Sequence, residues 1–247
     1  MLIYVIAVLV SLIVAFLCGS IPVALIIGKS MRGLDVREHG SGNAGSTNAI
    51  RVLGTGPGLL VFAGDVFKGA LGCLIVALTA GVAIVIASTS ATQAAMTLVL
   101  SGADTSQIDP IVSILGGSQS SILYDAPMAL AIIVTILGHM FSPFMSFKGG
   151  KGVATALGAV AVVLPFTAIC SLSVFIVIVL ITRYVSLSSI IAVVTVPIFS
   201  AFFYPEPTYI VLTILMALVV VWAHRKNIVR LIHKEEPKFS FPSRKKK

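Results

Sequence analysis

Long apolar segments alternate with short polar segments along most of the chain. The apolar segments cover residues 2–27, 57–87, 127–147, 152–182, 186–203 and 208–223. Most of them reach the length of about 18 residues at which an apolar run with few charges predicts a transmembrane helix. Within each segment the apolar residues are continuous and do not alternate with polar ones, which favours helices over barrel strands. The pattern therefore predicts an all-α polytopic membrane protein.

The segment 152–182 is the ambiguous one, because it is apolar for 31 residues and carries Pro165 near its middle. It is either one overlong helix or two short helices that are broken at the proline. Lys and Arg mark cytoplasmic loops, and their distribution decides between the two. These residues gather in 28–51, in 148–151, at Arg183 and from Arg225 onward, and are absent from 88–126 and 204–207. Two crossings within 152–182 place every basic segment in the cytoplasm. We therefore predict seven transmembrane helices, with the N-terminus outside and the C-terminus cytoplasmic.

Composition agrees with a membrane protein. Of the 247 residues, 57% are hydrophobic and 11% are charged, whereas about a quarter of a soluble domain is charged. The net charge of +8 is explained by these topological signals, so no nucleic-acid partner is expected. The three cysteines all lie in apolar segments, and no CxxC or Cys/His cluster predicts a metal site.

We predict one membrane-embedded domain over residues 1–236. Within it, residues 88–126 are rich in Ser, Thr and Gly and are expected to form an extracytoplasmic loop. Residues 237–247 are expected to be a disordered basic tail at the anionic inner leaflet. The N-terminal segment lacks a basic n-region and an A-x-A-type cleavage site, so we expect it to be a retained helix.

The first unusual polar segment is GSGNAGSTNAIR, residues 40–51. Its glycines let backbone N–H groups converge on one ligand and adopt the positive φ angles of an anion nest. Arg51 adds a planar guanidinium that suits a phosphate. The neutral donors are Ser41, Asn43, Ser46, Thr47 and Asn48. A flexible turn is the alternative, but a turn needs only one or two glycines and not this density of donors.

The second polar segment is KGGKG, residues 148–152, between two apolar segments. It is not a nucleotide-binding P-loop, because Met145 stands where that pattern requires glycine. Glycines and lysines that open a helix at Val153 form a candidate anion site. Lysines that snorkel at a membrane edge are the alternative, which does not explain the three glycines.

The third polar segment is HRKNIVRLIHKEEPK, residues 224–238. The spacing puts His224, Asn227 and Leu231 on one helix face. A juxtamembrane basic anchor is the alternative, and it accounts for the Lys and Arg residues but not for His224 with Asn227.

Asp65 and Lys68 lie deeper, at i and i+3 within the second apolar segment. Ionisable groups inside a membrane are unfavourable unless paired or functional. An internal pair that supports the first loop and a substrate contact are equally open at this point. Taken together, the polar segments predict a cytoplasmic pocket at the lipid boundary that is rich in phosphate-binding groups. Its ligand is expected to have an anionic phosphate head and an acyl tail.

The combination of segments resembles the PlsY-type bacterial acyl-phosphate:glycerol-3-phosphate acyltransferases. The resemblance rests on GSIPVALIIGK, GSGNAGSTNAIR, GDVFKGA, GHMFSPFMSFKGGKGVAT, RYVSLSSI and HRKNIVRL, which run in the family's order from Gly19 to Glu236. It implies a seven-helix inner-membrane enzyme with its active site on the cytoplasmic face. The implied reaction moves an acyl group from acyl-phosphate to the 1-hydroxyl of sn-glycerol-3-phosphate, the first step of phospholipid synthesis. The products are lysophosphatidate and inorganic phosphate.

The resemblance also implies partners and site residues. No acyl-CoA, metal or cofactor is expected, and the partners are the two substrates, membrane lipid and a functional link to an acyl-phosphate-forming enzyme. The implied catalytic residues are Ser41, Arg51, Lys151, His224 and Asn227. The implied substrate or phosphate contacts are Gly42, Asn43, Thr47, Asn48, Lys68, Gly149, Gly150, Gly152, Ser186, Ser189 and Glu236. The chain departs from the family at Lys234, where glycine is usual, and in the long 88–126 segment.

Acyl-phosphate is an activated mixed anhydride, so a covalent enzyme intermediate is unnecessary. Two candidates remain for the base that accepts the proton of the attacking hydroxyl. One is His224, because imidazole titrates near neutral pH. The other is a phosphate oxygen of a substrate, since a phosphate monoester has a second pKa of about 6. We favour substrate assistance, with His224 and Asn227 orienting the reactants.

Two other functions fit the sequence less well. Acyl-CoA-dependent acyltransferases use a His-x4-Asp pair, and none of the four histidines of this chain has Asp at that spacing. A transporter would spread polar residues to mid-membrane on several helices, whereas here they cluster at one face.

Overall fold

We describe the protein from a computed structural model that covers residues 2–101 and 119–239. The described residues form ten α-helices and two short 3-10 turns, at Val36–Glu38 and Pro143–Met145. The first five helices are α1 (Leu2–Ser20), α2 (Val23–Arg32), α3 (Ser46–Leu53), α4 (Thr55–Leu100) and α5 (Gln119–Met140). The other five are α6 (Val153–Val163), α7 (Pro165–Thr182), α8 (Val185–Phe203), α9 (Pro207–Ala223) and α10 (Arg225–Ile232).

Prolines mark the breaks between consecutive helices. Pro22 separates α1 from α2, and Pro165 begins α7 directly after Leu164. Proline has no N–H to donate, and its ring clashes with the carbonyl four residues earlier, which disfavours the continuation of a helix. Helices α5 and α8 nevertheless continue through Pro127 and Pro197. The prediction that 152–182 holds two helices is confirmed.

Several of the described helices are long and apolar enough to cross a membrane, as the sequence predicts. The segments that are long and apolar enough to cross a membrane are Leu2–Arg32, Thr55–Leu100, Leu123–Met145, Pro165–Thr182 and Val185–Phe203. A sixth is formed if α9 and α10, which meet at a bend of 60°, count as one broken span. The apolar helix α6 has 11 residues, fewer than the roughly 20 of a standard crossing.

Glycines bring two pairs of helices into close backbone contact. Gly19 of α1 lies against the carbonyl of Thr135 in α5, where a Cβ atom would have no room. Gly69 of α4 lies in the same way against the carbonyl of Thr155 in α6. Small residues allow such contacts between helices in lipid. The contact at Gly69 fixes the start of α6, and with it the KGGKG segment, against the first third of α4.

The prediction of a loop over 88–126 is corrected at both of its ends. Residues 88–100 continue α4, and α5 already begins at Gln119. No Gly or Pro interrupts the chain from 82 to 100. The hydroxyls of Thr89, Ser90 and Thr92 donate to carbonyls four residues earlier, so these polar groups form their hydrogen bonds within the helix. Residues 102–118, the centre of the predicted loop, lie outside the described residues.

Candidate active site

The loop before α3 is shaped by one buried amide, that of Asn48. Its Oδ1 accepts from the backbone N–H of Ser41 (2.8 Å). Its Nδ2 donates to the carbonyls of Val36 (2.8 Å) and His39 (3.1 Å). These bonds occupy the amide, so the structure gives Asn48 the task of holding the loop and not of binding phosphate directly. Ser41 and Gly42 are exposed on the loop, and Gly42 has a φ of 70° that favours glycine.

Arg37 connects this loop to the 3-10 turn that precedes the second polar segment, a contact that sequence reasoning missed. Its guanidinium pairs with Asp35 (2.8 Å) and donates to the carbonyl of Met145 (3.1 Å). The hydrogen bonds from Arg37 lower the pKa of the Asp35 carboxyl below its usual value, so the pair stays charged. The DVR spacing of a carboxylate and a guanidinium two residues apart is the only signal the sequence offers for this pair.

The glycines of KGGKG are required by packing against the end of α5. A Cβ atom on Gly149 would collide with the carbonyl of His139, and one on Gly150 would collide with the imidazole Nε2 of His139. Gly152 precedes α6 with a φ of 80°, which favours glycine. The three glycines therefore set the path of the loop, and Lys151 supplies its charged side chain.

Asn227 joins Lys151 to the third segment. The Nζ atom of Lys151 donates to Asn227 Oδ1 (2.5 Å), and Asn227 Nδ2 donates to Glu236 Oε1 (2.8 Å). The other carboxylate oxygen of Glu236 accepts from Arg230 Nε (2.7 Å). Asn227 is 5% exposed. The buried amide thus holds a cation on one side and a carboxylate on the other.

The charges around Lys151 change its titration. Burial lowers the pKa of Lys151, Glu236 partly restores it, and the charges of Arg230 and Arg51 lower it further, to about 8. Burial alone would raise the pKa of Glu236, but hydrogen bonds from Arg230 and Asn227 outweigh it and the pKa is lowered. Two guanidinium groups and a buried ammonium therefore face one carboxylate, which leaves an excess of positive charge for an anion.

Arg51 lies at the exposed edge of this cluster. Its guanidinium donates to the carbonyl of Pro237 (3.5 Å). The backbone N–H of Phe239 donates to the carbonyl of Arg183 (2.7 Å). The start of the predicted disordered tail, residues 237–239, therefore contacts the helical domain. Residues 240–247 lie outside the described residues.

His224 sits at the bend between α9 and α10 and is buried. Its Nδ1 lies 2.8 Å from the carbonyl of Val220, so Nδ1 is the donor and the lone pair of the neutral ring is on Nε2. Lys151 and Glu236 are its charged neighbours. The prediction placed His224 within a helix together with Asn227 and Leu231. The structure instead ends α9 before it, and the bend brings it beside Lys151.

The remaining candidates divide between the site and its surroundings. The Ser186 hydroxyl is buried and helps to lower the pKa of Glu236, although it makes no hydrogen bond of normal geometry. Asn43 and Thr47 are half-buried at the start of α3. Lys68 is buried and donates to Asp65 and to the carbonyl of Ile21, which favours the internal pair over a substrate contact.

An apolar groove, which sequence reasoning missed, includes in its lining Val153, two residues after Lys151 in the chain. It lies among α6, α7, α8 and α9, and Phe62 of α4 also lines it. Its lining includes Val153, Leu157, Phe175, Ser189, Val196 and Met216. Since Val153 is two residues from Lys151, the cluster can hold an anionic head while the groove holds an attached hydrocarbon chain. No three His, Cys, Asp or Glu side chains group as metal ligands in the described ranges.

Comparison with known proteins agrees with this chemistry. The family model described as glycerol-3-phosphate acyltransferase matches residues 9–234. A glycerol-3-phosphate acyltransferase of Geobacillus kaustophilus is 33% identical over 95% of this chain and 97% of its own. One of Bacillus subtilis is 35% identical over 92% of this chain and 95% of its own.

Solved structures show the same fold. A crystal structure of PlsY, an integral membrane glycerol 3-phosphate acyltransferase, in its glycerol 3-phosphate form has a TM-score of 0.72 and 32% identity. It covers 94% of this chain and 96% of its own. The lysophosphatidic acid form of PlsY has a TM-score of 0.70, with coverage of 94% and 95%. The chain is therefore an integral membrane acyltransferase of phospholipid synthesis, and it belongs to the glycerol-3-phosphate acyltransferase family.

Proposed function

We propose that this enzyme transfers an acyl group from acyl-phosphate to the 1-hydroxyl of sn-glycerol-3-phosphate. The observation that carries the proposal is a buried Lys151–Asn227–Glu236 network, flanked by Arg51 and Arg230, whose Lys151 lies two residues before Val153 in the lining of an apolar groove. Both substrates carry a phosphate and one carries a hydrocarbon chain, and this site offers a place for each. PlsY, a relative of this chain, has solved structures in a glycerol 3-phosphate form and a lysophosphatidic acid form, which correspond to one proposed substrate and one proposed product.

Each cation has a task in bringing two anions together. The phosphate of glycerol-3-phosphate and the phosphate of the donor repel each other, and the charges of Lys151 and Arg51 offset that repulsion. Because Lys151 already donates to Asn227, its ammonium is fixed in direction before substrate arrives. Fixed donors need little reorganisation during the reaction, and correct placement of the reactants supplies much of the rate.

The transfer step balances without an enzyme-bound intermediate. The 1-oxygen of glycerol-3-phosphate forms a bond to the carbonyl carbon, and the bond between that carbon and the phosphate oxygen breaks. Lysophosphatidate and inorganic phosphate are released. The electrophile is already activated, so we propose that the reaction requires no metal and no cofactor.

A phosphate oxygen of a substrate accepts the proton of the attacking hydroxyl in this proposal. Protonation of His224 would place a second positive charge beside Lys151, which is electrostatically unfavourable. The Nδ1 bond to Val220 fixes the ring with Nε2 as an acceptor. His224 thus serves to orient glycerol-3-phosphate by accepting a hydrogen bond from its 2-hydroxyl, which leaves the proton of the 1-hydroxyl for the phosphate oxygen. Ser41, exposed on the first loop, contributes a donor to phosphate.

We also propose seven crossings with the site on the cytoplasmic side of the inner membrane. Helix α6 is then a short crossing, paired with α7 through the break at Leu164. The loop before α3, the KGGKG segment and the end of α9 meet at one site, and the chain's Lys and Arg concentrate in these segments. Cytoplasmic loops carry this excess of basic residues.

The choice of acyl donor is the decisive test of this function. Purified enzyme in lipid receives labelled glycerol-3-phosphate with either palmitoyl-phosphate or palmitoyl-CoA, without added metal. We expect lysophosphatidate from palmitoyl-phosphate alone, with one inorganic phosphate released per product. Product from palmitoyl-CoA alone would contradict the proposed donor, and no product from either would contradict the proposed reaction.

A further inference from the structure

A cluster of three ionisable side chains is buried between α4 and α5, behind the candidate active site. Asp65, Lys68 and His139 are 1%, 2% and 3% exposed. Lys68 Nζ lies 2.7 Å from Asp65 Oδ1 and donates to the carbonyl of Ile21 at the break between α1 and α2 (2.8 Å). His139 Nδ1 lies 3.6 Å from the same Asp65 oxygen. The proposed reaction uses none of these groups.

The cluster ends against the loop that carries Lys151. The His139 imidazole lies against Gly150 so closely that a Cβ atom there would overlap its Nε2, and the His139 carbonyl lies against Gly149 in the same way. The N–H of Gly149 donates to the carbonyl of Met140 (3.0 Å), which closes the loop onto the end of α5. Lys151 directly follows Gly150 in the chain. A contiguous set of contacts therefore runs from Ile21 through Lys68, Asp65 and His139 to this loop.

Stability alone does not account for the cluster. Apolar side chains of similar volume often replace a buried ion pair at no loss of stability, because desolvation offsets the attraction between the charges. A charged, hydrogen-bonded pair does fix the orientation of its side chains, because the strength of the bond depends on their relative geometry. The Asp65 carboxylate is held by Lys68 on one side and faces the ring of His139 on the other, and that ring is the surface on which the loop rests.

We propose that His139, which faces the Asp65–Lys68 ion pair, is a positioning residue that sets the place of Lys151 through Gly150. This inference rests on the proposed function only in that Lys151 meets a substrate phosphate. Movement of the loop by a fraction of an ångström displaces the ammonium from Asn227 and from the phosphate. Small misplacements of this kind lower the rate strongly.

A double-mutant cycle between Gly150 and His139 tests the contact. Gly150→Ala adds a methyl group against the ring, and we expect kcat/KM to fall about 50-fold; His139→Ala removes the support, and we expect a fall of about 30-fold. Because His139→Ala also makes room for the added methyl group, the double variant should be no worse than the poorer single variant. A loss near the product of the two, roughly 1500-fold, would overturn the inference.

Gly158→Ala provides the matched control. Its added Cβ would meet the backbone of Val66, which His139→Ala cannot relieve. The losses of kcat/KM in Gly158→Ala and in His139→Ala should therefore multiply in the double variant. If His139→Ala does not fold, His139→Ser, which also removes the ring, takes its place in the cycle, with the same criterion.

A pH profile separates positioning from general destabilisation. Lys151 faces Glu236, Arg230 and Arg51, with His224 beside it. Release of the loop exposes the ammonium to water, so the alkaline limb of kcat/KM should move upward by about one pH unit in His139→Ala. An unchanged limb, with activity lost only through lower yield of folded enzyme, would overturn the inference. A failure of the proposed function looks different, because the unmodified enzyme would then make no lysophosphatidate.

Discussion

Replacement of Lys151 by Met is expected to lower kcat/KM by about 10³-fold, a loss of about 4 kcal/mol of transition-state stabilisation. Met keeps much of the length of the side chain but carries no charge, so Asn227 Oδ1 loses its donor and the phosphates lose a fixed cation. The measurement is lysophosphatidate formation at several concentrations of glycerol-3-phosphate. Lys226→Met is the control, because Lys226 is exposed on α10 next to Asn227. We expect it to stay within about twofold of the unmodified enzyme.

The pH dependence of the same residue provides a second check. In the proposed function Lys151 binds phosphate as the ammonium, and burial and the neighbouring charges lower its pKa to about 8. Deprotonation above that pH removes the charge, so kcat/KM, which reports the free enzyme, should fall as pH rises through about 8. A guanidinium remains protonated throughout this range. Residual activity of Lys151→Arg should therefore lack the alkaline limb, and a limb that persists would assign it to another group.

Asn227→Leu is expected to lower kcat/KM by about 10²-fold. Leucine has a similar volume, but it neither accepts from Lys151 nor donates to Glu236, so both charged groups lose a buried partner. Removing one partner of a buried hydrogen bond also destabilises the fold by about 1–3 kcal/mol. Thermal unfolding of the purified variant in detergent measures that part separately from kinetics.

His233→Ala is the control, because His233 directly follows the helix that carries Asn227 but lies at the surface. His233 is exposed just after α10 and makes its side-chain contact with the carbonyl of Val229. Its loss should change neither activity nor unfolding temperature appreciably. Activity of Asn227→Leu within threefold of the unmodified enzyme would show that Lys151 does not depend on this amide.

The sequence predicts much of the site because its chemistry is local. Lys151 and Asn227 belong to short segments whose glycines and polar side chains stand out from an apolar background. The break at Pro165 follows from the geometry of proline and from charge placement. These features depend on residues close in sequence, so their patterns can be read without knowledge of the packing.

What the sequence could not predict depends on which helices face each other. Asn48 was expected at phosphate, but its amide is occupied by three backbone bonds within the loop. The sequence alone offers no signal for His139, because the role proposed for it depends on its contacts with Asp65 and Gly150, which lie in distant segments. The apolar groove is likewise formed by five helices, and no local pattern distinguishes its residues from those facing lipid.

The helical extension of α4 beyond residue 87 was missed for a different reason. Ser and Thr were interpreted as loop formers, whereas here their hydroxyls donate to carbonyls of the preceding turn. Alanines among them favour the helix, and no glycine or proline ends it.

A structure of the enzyme with bound glycerol-3-phosphate tests the central claim most directly. We expect the phosphate oxygens to lie about 3 Å from Lys151 Nζ and from the guanidinium of Arg51, with the 1-hydroxyl directed toward Val153 in the lining of the apolar groove. A phosphate bound elsewhere on the chain, with the contact between Lys151 and Asn227 unchanged, would contradict the account.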